Sequence, residues 1–291
     1  MSQYRPATEI AKGTLSALNA SLANLGRVVV AFSGGVDSSL VSWAANEVLG
    51  AGQVLLVTAV SAAVPAGEVS SCRELALGWG ARWREVTTRE MSNPAYVANN
   101  SLRCYHCKFE LMDVLLPIAQ EEGSKVVLGV NLDDLGDHRP GQDAARRRGA
   151  VFPLVEAGFT KQDVRRVSRD VGLTTWDKPA MPCLASRIPY GTPVTLAALG
   201  SVERAEESLR RLGFGELRVR HHGTLARIEV AEAQMPLVFE QRREIVSALR
   251  NAGYVYVAMD LEGFRSGSLN AVLERAQGHA LVPLGQVAQR H

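Results

Sequence analysis

The chain has 291 residues, 46% hydrophobic and 21% charged, which suits a globular protein of one large or two modest domains. Lys plus Arg total 32 against 30 Asp plus Glu, and the formal charge of +2 exerts no global pull toward nucleic acid, so no nucleic-acid partner is expected. No apolar run approaches the roughly 20 residues that cross a bilayer, the N-terminus lacks a signal-peptide core, and four cysteines in so long a chain are no disulfide framework; a cytoplasmic protein without membrane contact is the expectation.

Thr8 to Leu25 reads as an opening helix, with Ile10, Leu15, Leu18, Leu22 and Leu25 near helical spacing. The apolar run Arg27 to Phe32 is a predicted buried strand, and Leu40 to Leu49 a predicted amphipathic helix. Between them stands Ser33-Gly34-Gly35-Val36-Asp37-Ser38-Ser39. Adjacent glycines let a backbone turn tightly and approach a ligand closely, the first N–H groups of the next helix lack intrahelical partners, and Ser33, Ser38 and Ser39 add hydroxyl donors, so phosphate is the natural ligand. The segment lacks the Gly-Lys-Ser/Thr ending of a Walker loop and the spacing of the dinucleotide fingerprint, which weighs against a kinase or a dehydrogenase.

Strands then alternate with helices: Gln53 to Val60 a strand, Pro65 to Gly80 a helix, Arg82 to Thr87 a strand, Cys107 to Gln120 a helix, and Lys125 to Val130 a strand ending at Asn131-Leu132-Asp133-Asp134. That order predicts an α/β fold with a doubly wound, mainly parallel sheet, whose ligands bind at the carboxyl ends of strands, where both Ser33 to Ser39 and Asn131 to Asp134 fall. Phe159 to Val171 carries a helix start at Thr160 with Asp163 three residues on. Trp176 to Pro193, with prolines at 179, 182, 189 and 193, is expected to be an irregular binding loop with few core residues. Beyond it a helix over Thr195 to Leu212, a hairpin of Glu216 to His221 and Thr224 to Val230, a helix over Met235 to Leu249 and a strand over Tyr254 to Met259 make a smaller α+β unit. The predicted domains are 1–192 and 193–291.

Cys72 shares a helical pattern with Val69, Leu75, Ala76 and Trp79 and is expected in the core. Cys104 and Cys107 form a C-x-x-C, and Cys183 stands alone in the proline-rich turn, with Lys178 and Arg187 near enough in sequence to lower a thiol's pKa. The pair is open to three readings: a reversible disulfide, a zinc site short of a convincing fourth ligand in Cys72 or His106, or ligands of an iron–sulfur cluster, although the spacing is not a complete ferredoxin signature. Asp133 and Asp134 are candidates for a divalent metal or a ribose hydroxyl, against a plain strand-ending turn. Arg139 is a candidate for substrate or phosphate. Arg218 and Arg220 alternate onto one face of a strand, where both guanidinium groups can reach one phosphate, against an ordinary solvated face. Glu206 and Glu207 are weak metal candidates, since exposed helical carboxylates are common, and Glu229 is weaker still. His221 and His222 face opposite ways along a strand and are not expected to share a metal. Arg146-Arg147-Arg148 reads as a solvated surface.

The segments Ser33 to Ser39, Arg103-Cys104-Tyr105-His106-Cys107-Lys108, Asn131 to Asp134 with Arg139-Pro140-Gly141, Trp176 to Gly191, Arg218 to Gly223 and Ala226 to Val230 together resemble the LarE-type ATP-dependent sulfur transferases. These belong to the PP-loop ATP pyrophosphatases, with an adenine nucleotide alpha hydrolase-like fold. The resemblance implies that Ser33 to Ser39 hold the pyrophosphate of ATP, with Asp37 helping to hold Mg²⁺. It implies that a carboxylate of pyridinium-3,5-biscarboxylic acid mononucleotide is adenylated and that sulfur then displaces AMP, leaving a thiocarboxylate, in assembly of the nickel-pincer nucleotide cofactor. Cys183 is the implied sulfur residue, either sacrificed to dehydroalanine or joined with Cys104 and Cys107 in the branch that holds a [4Fe–4S] cluster and turns over. Arg187, Arg218, Arg220 and Arg139 are implied contacts to the substrate or its phosphate; a homo-oligomer, and sulfide or a sulfur-donor protein as partner, are also implied. The rival readings are an amide-forming ligase or a tRNA thiolase with the same loop, and an ATP-binding redox or iron sensor.

Overall fold

A computed structural model describes residues 11–135 and 140–265; the start of the predicted opening helix and Arg139 lie outside them. Val28–Ala31 form strand β1, paired in parallel on one side with β2 (Val54–Val60) and on the other with β4 (Lys125–Leu128), while β3 (Arg82–Thr87) pairs with β2, giving the order β3-β2-β1-β4. The valines of β1 are buried on both faces, as a central parallel strand covered by helices requires.

Helices α2 (Val36–Leu49) and α3 (Ala66–Gly78) follow the expected pattern; α1 (Leu15–Ala23) is shorter than the helix expected from Thr8, because it starts only after Thr14, whose side chain caps it by accepting the Ala17 N–H. Two short helices, α4 (Pro94–Val97) and α7 (Pro153–Glu156), are invisible to periodicity because each spans only about one turn, too little for a spacing to recur. Both begin at a proline, whose fixed φ suits a first helical position. Between them lie α5 (Arg103–Glu121) and α6 (Pro140–Arg147), and α8 (Lys161–Asp170) follows. One core layer gathers Leu18, Leu22, Leu40, Val41, Cys72, Ala76, Val164 and Val167 from α1, α2, α3 and α8, and a second gathers Met112, Leu115, Ile118 and Ala145 from α5 and α6. The sheet is therefore wound on both faces, as expected.

Helix α5 starts four residues before its predicted boundary, which brings Cys104 and Cys107 into its opening turns. The proline-rich segment has only a short 3₁₀ turn, Leu184–Arg187. The expectation of few core residues there is corrected, since Leu184, Ala185 and Ile188 are all buried. Backbone hydrogen bonds anchor its ends: Leu184 N–H donates to Ala63 (2.8 Å), Gly191 N–H to Asn99 (3.0 Å) and Val194 N–H to Val97 (2.9 Å).

Among the described residues, those up to Leu184, with Tyr190–Leu199, form one compact unit, and Ala185–Pro189 with those from Gly200 on form another. In the second, β5 (Leu217–His222) and β6 (Leu225–Val230) make the expected hairpin, and β7 (Tyr256–Met259) pairs in parallel with β6. Helix α9 (Leu196–Arg211) precedes the hairpin. The single helix expected over Met235 to Leu249 is two, α10 (Met235–Glu240) and α11 (Arg242–Asn251), separated at Gln241, whose ψ of 21° leaves the helical range. No helix among the described residues is long and apolar enough to cross a membrane.

One glycine couples the sheet to the loop after β1. A β-carbon at Gly129, just past β4, would lie 2.7 Å from the backbone nitrogen of Ser38 and 2.8 Å from the carbonyl carbon of Asp37. Both neighbours are backbone in the first turn of α2 and cannot yield as a side-chain tip can. Gly129→Ala is predicted to destabilise the protein by about 1–3 kcal/mol. Gly52→Ala, where a β-carbon meets nothing within 4 Å, serves as the control; urea unfolding of the two variants checks the difference.

Candidate active site

The segment Ser33 to Ser39 joins the carboxyl end of β1 to the start of α2. Gly34 has φ +67°, and a β-carbon there would sit 2.8 Å from the buried Cys72 sulfur, so conformation and space both demand glycine. Gly35 caps α2 without a side-chain hydrogen bond, leaving the first N–H groups of the helix to a ligand. Ser38 is buried and folds back, its hydroxyl donating to the Gly35 carbonyl (3.1 Å) and standing 3.0 Å from the Ser33 hydroxyl. Ser39 is also buried, so the exposed Ser33 is the most accessible of the three hydroxyls.

Asp37, in the first turn of α2, accepts a hydrogen bond from Asn131 Nδ2 (2.8 Å) on Oδ1 and is ion-paired with Lys161 through Oδ2. Asp133 Oδ2 accepts the Lys161 backbone N–H (2.7 Å), and Asp134 Oδ2 that of Asn131 (3.2 Å). The two aspartates thus secure the turn after β4 and the start of α8. Lys178 donates to the Gly34 carbonyl (3.2 Å) and to Glu68 (2.8 Å), which places its charge at the glycine turn after β1. Burial pushes the Cys72 thiol up to about 11, with Thr58 and Lys178 opposing; as expected, it is a core residue.

Arg103, beside Cys104 at the opening of α5, is the next buried charge. This side chain is 3% exposed, donates to Asn99 Oδ1 (2.6 Å), and lies 5.7 Å from the ring centre of Tyr190. Asn99 is fully buried at φ +54°, and its side-chain amide donates to the Thr192 carbonyl (2.8 Å). One residue therefore ties the start of α5 to the end of the proline-rich loop. Desolvation lowers the guanidinium's pKa, but Cys183 and Cys104, followed by Tyr190 and Tyr96, raise it on balance. Burial, then the nearby Cys183, with Glu90 and Cys104 adding to them, pushes the Cys107 thiol up to about 12 against the pull of Lys108. Cys104 and Cys107 lie on one helix, and Cys183 on the proline-rich loop is among the groups that raise the Cys107 pKa. Glu90 and Tyr96 are buried beside them, and Glu90 Oε2 and Tyr96 Oη lack hydrogen-bond partners. Burial first, then Cys183 and Cys107, raises the Tyr96 pKa, so its hydroxyl stays a donor. Among the described residues no three Cys, His, Asp or Glu side chains are gathered for a single metal ion.

In the second unit, the solvated strand face weighed for Arg218 and Arg220 is corrected: both are buried. Arg220 makes a two-pronged pair with Glu229 (2.8 and 2.8 Å) and donates to the Ser186 carbonyl (2.9 Å). Arg187 makes another with Glu206 (2.7 and 3.0 Å), whose carboxylate also accepts from Arg210 (3.0 Å) and the Val219 N–H (3.1 Å). Glu206 is therefore buried, whereas Glu207 is exposed and pairs with Arg211 at 3.3 Å. Arg218 stacks on Phe264 at 4.6 Å; burial and then the neighbouring Arg220 and Arg187 lower its pKa. His221 faces Tyr254 (3.2 Å). Of the basic run, Arg148 pairs with Asp113 at 2.6 Å and Arg146 lies over Phe152.

Sequence reasoning missed Lys161, Asn99, Glu90 and Tyr96, and gave Arg103 no role of its own. A signal existed for Lys161, because a cation in the first turn opposes the helix dipole and demands a compensating anion.

No family model matches the chain. Its relatives include an uncharacterized protein of Synechocystis sp., 46% identical over 86% of this chain and 94% of that protein. A second is the pyridinium-3,5-bisthiocarboxylic acid mononucleotide synthase of Lactiplantibacillus plantarum, 41% identical over 89% of this chain and 95% of that enzyme. A more distant one is an uncharacterized protein of Methanocaldococcus jannaschii, 24% identical over 82% of this chain. Identity at the level of the second relative, over nearly the full length of both chains, shows that the chain belongs to the LarE-type sulfur transferases.

Proposed function

We propose that the protein uses ATP to activate a carboxylate of pyridinium-3,5-biscarboxylic acid mononucleotide and converts it to a thiocarboxylate, with sulfur supplied through Cys183. The observation that supports the reading is that the opening of α5, which bears Cys104 and Cys107, is tied through Arg103 and Asn99 to Tyr190 and Thr192 at the end of the loop that carries Cys183, in a chain with a glycine turn after β1. The name of the Lactiplantibacillus relative supplies the substrate class.

The unpaired N–H groups opening α2, with the Ser33 hydroxyl, bind the outer phosphates of ATP, and Asp37 serves the accompanying Mg²⁺. A substrate carboxylate oxygen attacks the α-phosphorus, the bond to pyrophosphate breaks, and an acyl adenylate forms. A sulfur nucleophile then attacks the acyl carbon and AMP departs with the bonding electrons. The gain is that a carboxylate, otherwise inert to nucleophiles, acquires a good leaving group while both reactants are held together. Arg218, a buried guanidinium stacked on an aromatic ring, is the cation offered to the substrate's phosphate, and the Arg220–Glu229 and Arg187–Glu206 pairs fix the strand and loop around it.

We read the three cysteines as ligands of a [4Fe–4S] cluster rather than of a zinc ion, because thiolates are the usual ligands of such clusters, whereas a structural zinc site needs a fourth ligand. Cys104, Cys107 and Cys183 would hold that cluster, which would supply sulfide that can be replenished by free sulfide or a donor protein, in a homo-oligomeric enzyme.

Asp37→Ala is expected to cut substrate-dependent pyrophosphate release by at least about 100-fold, read by a coupled phosphate assay; unchanged release would remove the nucleotide-loop assignment. Cys104→Ala and Cys183→Ala are expected to keep adenylation and lose repeated sulfur transfer. Mass spectrometry after reaction decides between the two sulfur routes: an intact chain with several turnovers supports the cluster, and loss of hydrogen sulfide at Cys183 after one turnover supports sacrifice.

A further inference from the structure

The stretch from Arg89 to Asn99 is clamped onto one face of α5. At its start the Arg89 N–H donates to Glu110 Oε1 (2.8 Å), and at its end Asn99 Oδ1 accepts from Arg103 (2.6 Å). Cys107 stands one helical turn after Arg103 and one before Glu110, so the three share a face of the helix and Cys107 lies under the middle of the clamped stretch. On its other side the stretch receives the end of the proline-rich loop, with the Gly191 N–H on the Asn99 carbonyl (3.0 Å) and the Val194 N–H on the Val97 carbonyl (2.9 Å). Tyr96, on α4 within the stretch, is 1% exposed, and its hydroxyl has no hydrogen-bond partner among the described residues. Glu90 Oε2, buried in the same stretch, is unpaired as well, so the two do not satisfy each other. An unpaired hydroxyl in the interior costs free energy, and a donor so placed marks where an acceptor arrives.

The geometry points to Tyr96 as a positioning residue of the sulfur centre: its hydroxyl donates a hydrogen bond to an inorganic sulfide of the cluster read for Cys104, Cys107 and Cys183. Such a sulfide carries negative charge and accepts hydrogen bonds, and Cys107 lies on the helix face that the tyrosine's own segment covers. Burial first, then Cys183 and Cys107, raises the pKa of the phenol, so the proton stays on its oxygen. A donor of this kind holds the sulfide in place without binding iron. It also offsets more charge in the reduced cluster than in the oxidised one, which raises the reduction potential. The inference rests on the cluster reading of the three cysteines.

The test uses the full chain after anaerobic reconstitution with ferrous iron and sulfide. Tyr96→Phe keeps the ring and removes the donor. The variant is expected to bind as much iron as the wild type and to show a lower cluster reduction potential in a redox titration followed by electron paramagnetic resonance. It is expected to form thiocarboxylate about 10-fold more slowly, while substrate-dependent pyrophosphate release stays unchanged. The urea midpoint of the variant before reconstitution is expected to equal or exceed that of the wild type, because no hydrogen bond is lost there. A hydroxyl that only supported the fold would lower that midpoint and leave the potential where it was. An unchanged potential, an unchanged rate of thiocarboxylate formation, a lower urea midpoint or a variant that does not fold would overturn the inference. Failure of the wild-type chain to bind iron would remove the cluster reading itself, and Tyr96's role with it.

Discussion

Asn99 ties together the two segments that carry Cys104, Cys107 and Cys183. It is fully buried in the left-handed region of backbone space, which asparagine tolerates better than most residues but still at a cost of about 1–2 kcal/mol. In return its side chain receives the Arg103 guanidinium and donates to Thr192, while its carbonyl accepts the Gly191 N–H. The opening of α5, with Cys104 and Cys107, is thereby tied to the far end of the loop that carries Cys183. A proline-rich segment has little backbone pairing of its own to specify its path, so anchors at Ala63, Asn99 and Val97 do that work. Replacing Asn99 would release both the arginine and the loop.

The phosphate side rests on a different constraint, the close approach of backbone to backbone. Gly34 lies against Cys72 and Gly129 against the first turn of α2, so the loop is shaped by what cannot be larger than hydrogen at two positions. Charge is then added by side chains from three directions: Asp37 from α2, Lys161 from α8 and Lys178 from the proline-rich segment. The second unit solves a comparable problem by pairing, with Arg187 and Arg220 each locked on a buried carboxylate and Arg218 left stacked on Phe264. Removing either glutamate would leave a buried guanidinium uncompensated, which costs far more than the pair itself contributes.

Much of this was legible in the amino-acid order. The valine run of β1 and the strand–helix alternation specify a parallel sheet because both signals are local and strongly periodic, and Gly34 with Gly35 announces the tight turn between β1 and α2. Short helices such as α4 were not legible, since four residues carry no period. The partners of Lys178 and Arg187 were not legible, because proximity in the chain is a poor guide to proximity in space: Lys178 reaches Gly34 and Glu68, and Arg187 joins Glu206. Burial of Glu206 and Arg220 was hidden for a related reason, as charged residues on a helix or strand read as solvent-facing until their partners are known. Arg103 was visible only as part of a motif. Its importance comes from Asn99 and Tyr190, which the chain brings to it from either side.

Chemically the account joins two locally independent devices, a turn that binds the end of ATP and a set of thiols that bears sulfur, and its central claim is that the first drives the second. The most direct measurement is the stoichiometry of the anaerobic reaction with ATP, sulfide and pyridinium-3,5-biscarboxylic acid mononucleotide, following pyrophosphate and thiocarboxylate together. The account predicts that pyrophosphate appears only when the pyridinium substrate is present, with one released for each thiocarboxylate formed. Pyrophosphate released at the same rate without that substrate, or thiocarboxylate formed without ATP, would contradict it.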